Sequence, residues 1–587
     1  MDKKLEQVLL SKYFYENMHL LGFDKHTRVI NTVIRELVDN SIDACLEAEI
    51  LPELELEIKP GSKGKSYLIS LKDNGPALPE KKIPEIAGKL LYGSKFGANT
   101  PSRGQQGLGL TAIIMYAQKS TGLPVTITSK TREETKATRY VLEVDIENNQ
   151  PKIISKETLK VPYTSGITVE LQVGATYIKN GLLSTPELIK RYIYLNPFMS
   201  LRFLDPFGVE EVYPRLTEEL PRKIENLKKI PHHQQVGSLK TSFNESKNLE
   251  ISILELLTNQ YYGSEELYAE VLNKLGISGY IKAGELCLEE LELILEQIKS
   301  SFNKILPPEG LVTLLNKAIT LSVTKNYSVH YDHVVSKVSK PIFYNAGVLQ
   351  VEACAFYGGP NLLDDKIQVQ RVANCAPLTY QASSCVITKA ILDQNWKDAG
   401  LTQSQNELPR GPLLVLVHVS GSKVPYSSPS KDAIAEHPEI YSAIKSCLSQ
   451  ICKSIKTHRS KELLQAAKDE KILVITRVLP EIIRLVEKGI DRKLRIKSLK
   501  TILSSIIEGL MIIEGKQELE FVNGGKDSYE FELGTPGLPP EQYIKIQLQP
   551  GSKRVVPMIK DYFIEGLTPL EYNVIDKKIW DNLKKEE

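Results

Sequence analysis

Three polar residues stand at helical spacing near the start of the chain: Glu36, Asn40 and Asp43. On an α-helix, residues i and i+4 share one face, so the Glu36 carboxylate is expected beside the Asn40 amide, with Asp43 one turn further on. A carboxylate there could polarise a water molecule, and a neutral amide oxygen suits Mg²⁺. Such a pattern is also typical of a solvated helix face, so its meaning depends on the residues that follow.

A further carboxylate, Asp73, ends a run of alternating residues that predicts a β-strand. The chain is expected to turn directly afterwards, at Asn74-Gly75-Pro76. A carboxylate at such a strand end can accept a hydrogen bond from an adenine amine, and Gly75 would leave room for the ring.

Glycines then cluster just before a predicted helix that opens near Thr111: Gly104, Gly107 and Gly109. Glycines allow backbone N–H groups to approach an anion closely, and the start of a helix favours phosphate. Each group of residues alone is weak evidence. In this order and at this spacing, the three groups together predict an ATP site.

The same stretches carry a resemblance to a known family. The sequence resembles the Bergerat-fold ATPases, the superfamily of gyrase B, MutL, the heat-shock chaperones and the histidine kinases. Within that superfamily it is similar to the B subunits of type IIB topoisomerases, the topoisomerase VI type. The stretches concerned are LGFD at 21–24, RELVDNSIDA at 35–44, KLLYGSKF at 89–96 and SRGQQGLGL at 102–110. Later phrases match as well, so the resemblance covers most of residues 10–490.

The resemblance implies roles for the site residues. Glu36 would be the general base that activates the attacking water, and Asn40 would be the protein ligand of Mg²⁺. Asp73 would recognise adenine, while Asp43 has no certain role. The other expected contacts with ATP come from the adenine turn, the lid, the glycine-rich loop and the last strand: Gly75, Lys95, Gly104, Gln106, Gly107, Leu108, Gly109 and Thr168.

Two positions depart from the family pattern. Ala77 stands where the family's Asp-x-Gly-x-Gly turn has its last glycine, and Ile167 separates Gly166 from Thr168. Neither change removes a charged catalytic group. We therefore expect an active ATPase with a changed nucleotide affinity.

A lysine far along the chain completes the expected site. In the resembled family, a transducer lysine reaches the γ-phosphate, where a cation can stabilise transition-state charge and sense loss of the phosphate. Here Lys431 matches it, within Ser430-Lys431-Asp432. This phrase is expected to precede a helix, with Ser430 or Asp432 as the cap. The alternative is a surface lysine at a helix start, which is an unfavourable place for a cation.

Length and composition limit the possible classes of protein. A chain of 587 residues is too long for one hydrophobic core, so three or four domains are expected. With 42% hydrophobic and 25% charged residues, the composition is that of an ordinary globular protein. The formal net charge of +2 means that any DNA binding must depend on local patches.

Targeting and redox signals point to the interior of the cell. The N-terminus has no apolar signal segment and no run is long enough to span a membrane, so we expect a cytoplasmic, nucleoid-associated protein in a prokaryote or a nuclear one in a eukaryote. Seven cysteines without C-x-x-C spacing argue against a disulfide framework and a zinc site.

Patterns of turns and periodicity, together with the resemblance, predict an α+β multidomain chain in four parts. Residues 1–229 would form a Bergerat-fold α/β-sandwich ATPase domain with an N-terminal strap, and 230–306 a helix-two-turns-helix insert. Residues 307–514 would form an α/β transducer domain with long helices at 443–457 and 473–488, the second kinked at Pro480. Residues 515–587 would form a small β-rich appendage.

Three surfaces allow two interpretations each. The strap residues Tyr13, Phe14 and Leu20 either reach a partner protomer or belong to the core. The apolar stripe of 473–488 either packs internally or docks a partner. Clustered basic residues either contact DNA phosphates or line a solvated helix face: Lys453, Lys456, Arg459, Lys461, Arg492, Lys493, Arg495, Lys497 and Lys500.

The sequence thus predicts the ATP-binding and ATP-hydrolysing B subunit of a type IIB DNA topoisomerase. As the resemblance implies, ATP and Mg²⁺ would close two B chains around a double-stranded DNA segment, and hydrolysis would reset the gate. An A subunit with a catalytic tyrosine would cut the DNA within an A₂B₂ heterotetramer. The spacing Asp-x-Asp, common in cleavage subunits, occurs nowhere in the chain. Arg139-Tyr140 and Arg191-Tyr192 are better explained by strand and helix packing than as nucleophile pairs.

Other classes of ATP-driven clamp are the alternatives. A gyrase-B-like or MutL-like clamp and a chaperone that closes on proteins share the nucleotide motifs. Gyrase-type chains carry an acidic metal domain after the transducer, which is lacking here, and chaperones lack the helical insert. An inactive adaptor is the third alternative, and the presence of Glu36, Asn40, Asp73 and Lys431 argues against it.

Overall fold

The structure is a computed structural model. It describes residues 10–62, 64–90, 101–104, 108–221, 228–230, 234–244, 250–301, 323, 333–344, 347–358, 366–490, 509–535, 542–559, 562–565, 567 and 572–577. The described chain forms two compact units, Met1–Lys453 and Ser454–Glu587. Several predicted site and basic residues lie outside the described residues: Lys95, Gln106, Gly107, Arg492, Lys493, Arg495, Lys497 and Lys500.

The first unit begins with a mixed eight-stranded sheet in the order β5-β4-β3-β6-β2-β1-β7-β8. Neighbouring strands are antiparallel except β1 and β7, which are parallel. The strands are β1 (Glu53–Pro60), β2 (Ser66–Asp73), β3 (Val125–Lys130), β4 (Ala137–Asp145), β5 (Gln150–Leu159), β6 (Gly166–Gly174), β7 (Ser200–Leu204) and β8 (Glu210–Tyr213).

Helices cover the apolar side of this sheet: α1 (Leu10–Glu16), α2 (His26–Glu47), α3 (Ile83–Gly88), α4 (Gly109–Thr121) and α5 (Thr185–Leu195). In β2, the alternate residues Ile69 and Leu71 are buried and Asp73 follows on the same face. The core therefore continues directly into the polar site at the end of β2. In the strap, Phe14 packs against the core, whereas Tyr13 is exposed.

The region predicted as a helical insert contains α6 (Val236–Phe243), α7 (Ile253–Gln260), α8 (Glu265–Lys274) and α9 (Leu288–Ser300). Three of these helices start at a side-chain cap on the residue before them. Ser252, Ser264 and Cys287 accept a hydrogen bond from the backbone N–H three residues later. Their apolar faces form a core of their own.

A second sheet follows, in the order β10-β11-β14-β12-β13, with β9 also paired to β11. Its strands are β9 (His333–Val338), β10 (Ile342–Tyr344), β11 (Gly347–Tyr357), β12 (Gln368–Ala373), β13 (Ala376–Pro377) and β14 (Leu413–Gly421). A short helix, α10 (Val386–Leu392), lies between β13 and β14 in the chain. Strands β11 and β14 are buried along their whole length, so this sheet is covered on both faces.

One helix replaces the two that the sequence predicted. Helix α11 (Pro438–Ile490) is 53 residues long and continues through the expected gap and through Pro480. The intervening residues 458–472 contain Lys, Glu, Leu, Gln and Ala and lack Gly and Pro, so nothing in them ends a helix. The predicted cap is also wrong, because α11 begins at Pro438, several residues after Ser430 and Asp432.

The second unit contains the β-rich appendage that the sequence predicted. One sheet has the order β19-β16-β15-β21 and the other β18-β17-β20. Phe521 and Phe531, with ring centroids 5.4 Å apart, lie in their apolar core. The strands are β15 (Leu510–Glu514), β16 (Glu518–Asn523), β17 (Tyr529–Gly534), β18 (Ile544–Leu548), β19 (Lys553–Pro557), β20 (Phe563–Glu565) and β21 (Tyr572–Asp576). The four domain boundaries stay a prediction.

All seven cysteines are free thiols, and five of them are buried. Within the described ranges, no helix is both long and apolar enough to cross a membrane.

Candidate active site

The acidic face of α2 forms one wall of the site. Glu36 and Asn40 are partly exposed on it, whereas Asp39 and Asp43 are buried. The start of α4 lies directly against Glu36: a Cβ built on Gly109 would be only 2.1 Å from Glu36 Oε2. Any side chain at this position would therefore displace the Glu36 carboxylate. Leu108 precedes Gly109 as the residue before the first helical turn.

Asn40 is available to a ligand. No hydrogen bond to its amide is present among the residues that the structure describes. Its amide oxygen shares a helix face with the Glu36 carboxylate, as the spacing predicted. A neutral oxygen beside a carboxylate fits Mg²⁺, which usually takes one or two protein ligands and fills its other positions with phosphates and water.

Asp73 is held at the end of β2 by three hydrogen bonds. Ser41 Oγ donates to Oδ2 over 2.6 Å, and the backbone N–H groups of Gly75 and Ile167 donate to Oδ1 over 3.0 and 3.3 Å. Burial raises the pKa of Asp73, and these three donors partly oppose that effect. The carboxylate is therefore fixed in direction, with Gly75 packed between it and the Cys45 sulfur.

The two departures from the family pattern have different structural consequences. Ala77 has φ 64°, in the left-handed region that favours glycine, so the backbone keeps the turn in spite of the substitution. Thr168 pairs with Lys72 of β2, and neighbouring residues on a strand face opposite sides. Its side chain therefore lies on the sheet face opposite Asp73, and Ile167 occupies the place predicted for Thr168.

Asp43 anchors the start of the glycine-rich loop. Its carboxylate accepts from the backbone N–H groups of Arg103 and Gly104 over 3.1 and 3.2 Å, and from Arg103 Nη1 over 2.9 Å. Burial alone would lower the pKa of Arg103, but Asp43 raises it. The Gly104 amide thus has a protein acceptor, and its predicted contact with phosphate stays a prediction. The sequence had left Asp43 without a certain role.

Lys431 lies at the same loop despite its distance in sequence. Its ammonium donates to the Arg103 carbonyl over 2.8 Å, and the side chain is buried. The backbone at Lys431 has φ 52°, an unfavourable value for a residue with a side chain. Lys431 is therefore a buried loop residue, and the expectation of a helix-start position is wrong.

Sequence reasoning missed a layer of buried polar residues behind this site. Asp39 accepts from Tyr192 Oη over 2.8 Å, so Tyr192 does more than pack. Burial raises the pKa of Asp39 to about 6. Asn374 links the tip of the β12–β13 hairpin to the Ser102 carbonyl over 3.2 Å. The sequence did contain one signal of this buried layer, because Asp39 is a polar residue among the apolar positions of the helix pattern.

An arginine on α2 connects the two sheets. Arg35 Nη1 donates to Asp432 Oδ1 over 3.2 Å, and Arg35 Nη2 lies 3.7 Å from Glu36 Oε1. Burial alone would lower the pKa of Arg35, but the carboxylates of Asp432 and Glu36 raise it above its usual value. The guanidinium thus stays charged between the general-base candidate and the Lys431 loop.

Comparisons with known proteins agree with this arrangement. Residues 26–148 match the family described as "Histidine kinase-, DNA gyrase B-, and HSP90-like ATPase", which confirms the predicted fold class for the first sheet and its helices. Residues 307–471 match the family described as "Topoisomerase VI B subunit, transducer".

Whole-length relatives extend the similarity. The chain is 31% identical over 512 residues to the B subunit of type 2 DNA topoisomerase 6 from Methanosarcina acetivorans, which covers 87% of this chain and 81% of the relative. It is 30% identical over 495 residues to the protein of the same name from Archaeoglobus fulgidus, covering 84% of this chain and 81% of the relative.

Proposed function

The chain belongs to the family of type 2 DNA topoisomerase 6 B subunits, and from that premise we propose how its site works as the ATPase of a type IIB DNA topoisomerase. The carrying observation is that Lys431, over 300 positions further along the chain than Glu36 and Gly109, contacts Arg103, while Gly109 lies against Glu36. ATP would bind between α2 and the start of α4.

Adenine recognition is assigned to Asp73. Its carboxylate is oriented by Ser41, Gly75 and Ile167, which leaves it aimed at the turn after β2. It would accept a hydrogen bond from the adenine amine. A nucleotide lacking that amine would lose one hydrogen bond to a charged group, which is worth about 1.5–3 kcal/mol.

Hydrolysis is assigned to Glu36, whose carboxylate would take a proton from the attacking water. Asn40 would hold Mg²⁺, which when bound offsets the negative charge of the phosphates. Lys431 would approach the γ-phosphate with its ammonium. It would stabilise transition-state charge and lose its anionic partner once phosphate departs. The transducer would then register the change through the loop that carries Lys431.

Partners follow from the family. We propose that the chain assembles with an A subunit that cuts DNA, that ATP drives dimerisation of two B chains, and that the dimer encloses double-stranded DNA. Exposed lysines on α11, Lys453, Lys456 and Lys461, could steer phosphate backbones. Exposed apolar residues further along α11, Val478, Ile482 and Leu485, suit docking of the A subunit.

The test separates binding from hydrolysis. Glu36→Ala should lower kcat for ATP at least about 10²-fold while nucleotide binding and analogue-driven dimerisation persist. Lys431→Ala should also lower kcat. Glu47→Ala, an exposed position at the end of the same helix, is the matched control. Wild-type turnover in Glu36→Ala would remove Glu36 from the proposed role, and loss of nucleotide binding would show that it serves the pocket rather than the reaction.

A further inference from the structure

The carboxylate next to Lys431 is almost completely enclosed. Asp432 is 1% exposed, and its two oxygens have three donors. Arg28 Nη2 donates to Oδ2 over 2.6 Å, Ser430 Oγ donates to Oδ2 over 2.7 Å, and Arg35 Nη1 donates to Oδ1 over 3.2 Å. Both arginines are on α2, about two turns apart. Two cations from one helix therefore hold a single carboxylate of the Lys431 loop.

The Asp432 backbone is held from the opposite side. Its carbonyl faces Arg371 Nη1 of β12 at 3.5 Å, and Arg371 Nη2 donates to the Leu378 and Tyr380 carbonyls. The Arg28 guanidinium also lies over the Tyr380 ring, 4.0 Å from its centroid. The residue thus connects the second sheet to α2 through both its main chain and its side chain.

Asp432 is linked to both groups proposed to act on the γ-phosphate, Lys431 and Glu36. On one side, Lys431 is the preceding residue, and its ammonium touches the Arg103 carbonyl. On the other side, Arg35 bridges Asp432 to Glu36. Since Lys431 has an unfavourable φ of 52°, its conformation persists only if its surroundings enforce it. The ion pairs of Asp432, the next residue, are such a restraint.

We propose that Asp432 is a positioning residue for ATP hydrolysis: it fixes Lys431 at the glycine-rich loop and, through Arg35, fixes Glu36 on the facing wall. This inference rests on the proposed function, in which Lys431 and Glu36 act on the same phosphate. Because one carboxylate restrains both, its loss should weaken the reaction more than nucleotide binding, which depends on Asp73 and the loop amides.

The experiment uses the full chain with Asp432→Asn, which keeps the shape of the side chain and removes its charge. We expect kcat for ATP to fall about 10- to 100-fold, as for a misplacement of about 1 Å, with KM within about threefold of wild type. Asp24→Asn is the matched control. Asp24 also pairs with Arg28, at 2.9 Å, but among the described residues it makes no side-chain hydrogen bond to the Lys431 loop, so kcat should stay within about twofold.

A double-mutant cycle distinguishes positioning from general damage. If Asp432 acts partly through Lys431, Asp432→Asn should lower kcat less in the Lys431→Ala background than in the wild-type chain, because one of the two positioned groups is already missing. Multiplying effects, or a wild-type kcat in Asp432→Asn, would overturn the inference. Should Asp432→Asn fail to fold, Ser430→Ala decides instead: a several-fold lower kcat at unchanged KM supports positioning, and a wild-type kcat overturns it.

Failure of the proposed function and failure of the positioning by Asp432 give different results. A wild-type kcat in Lys431→Ala would contradict the role proposed for Lys431 itself. An impaired Lys431→Ala beside an unimpaired Asp432→Asn would contradict only the positioning by Asp432.

Discussion

A single methyl group at Gly109 should disable hydrolysis without unfolding the protein. In Gly109→Ala, the new Cβ would be 2.1 Å from Glu36 Oε2 and 3.1 Å from Glu36 Cδ. An ordinary contact needs about 3.4 Å or more, so the carboxylate must move by over 1 Å. The displaced atoms are the flexible end of a side chain, and Ala is the better helix former by roughly 0.5–1 kcal/mol.

The expected result is a separation of activity from stability. A displacement of about 1 Å at Glu36, the proposed general base, should lower kcat by about 10²-fold, whereas the backbone N–H of residue 109 is kept and nucleotide binding should change little. Steady-state phosphate release gives kcat, titration with a nonhydrolysable ATP analogue gives affinity, and thermal unfolding gives stability. We expect the unfolding midpoint to stay the same or rise slightly.

The matched control is Gly237→Ala. Gly237 also lies in the first turn of a helix, α6, and a Cβ there would meet no heavy atom within 4 Å. This variant should hydrolyse ATP like wild type. If Gly109→Ala kept more than about a third of wild-type kcat, Glu36 would not need the position seen here, and its assignment as general base would lose its geometric support.

Two further predictions concern backbone strain and buried charge. Ala77→Gly should raise the unfolding free energy by about 1 kcal/mol, since relief of the left-handed φ exceeds the entropy cost of glycine; a lower thermal midpoint would contradict it. Asp39 has a folded pKa of about 6 against 3.8 ordinarily, so its ionisation lowers stability as pH rises through that window. Asp39→Asn should therefore stabilise the protein by up to about 3 kcal/mol at pH 8 and hardly at pH 4. Equal shifts of the thermal unfolding midpoint at the two pH values would refute this.

Local sequence patterns were sufficient to predict the wall of the site that α2 forms. The i, i+4 spacing of Glu36 and Asn40 fixes their common helix face, and the alternation ending at Asp73 fixes its place on a strand. The caps at Ser252 and Ser264 likewise depend on residues within a few positions. Such features follow from the chain's nearest neighbours in sequence, and so they could be predicted.

Long-range polar contacts could not be predicted in this way. The arginine partners of Asp432 are about 400 residues away, and nothing in the Ser430-Lys431-Asp432 phrase indicates an arginine on α2. The same phrase looks like a helix cap, because Ser and Asp have that local preference. The tertiary ion pairs of Asp432 outweighed this local capping preference. The register of β6 decided the place of Thr168, since a shift of one residue moves a side chain to the other face.

The two sheets of the first unit meet through contacts of two different kinds. At α5, Tyr194 and Leu195 pack with Phe356 and Leu416 of the second sheet in an apolar cluster. At α2, the contacts with the Lys431 loop are buried ion pairs and hydrogen bonds. Apolar contact is non-directional and does not depend on charge. A buried ion pair, by contrast, becomes unfavourable as soon as one partner is lost or moved. Under the proposed function, a change in phosphate charge beside Lys431 would therefore act on the second kind of contact and spare the first.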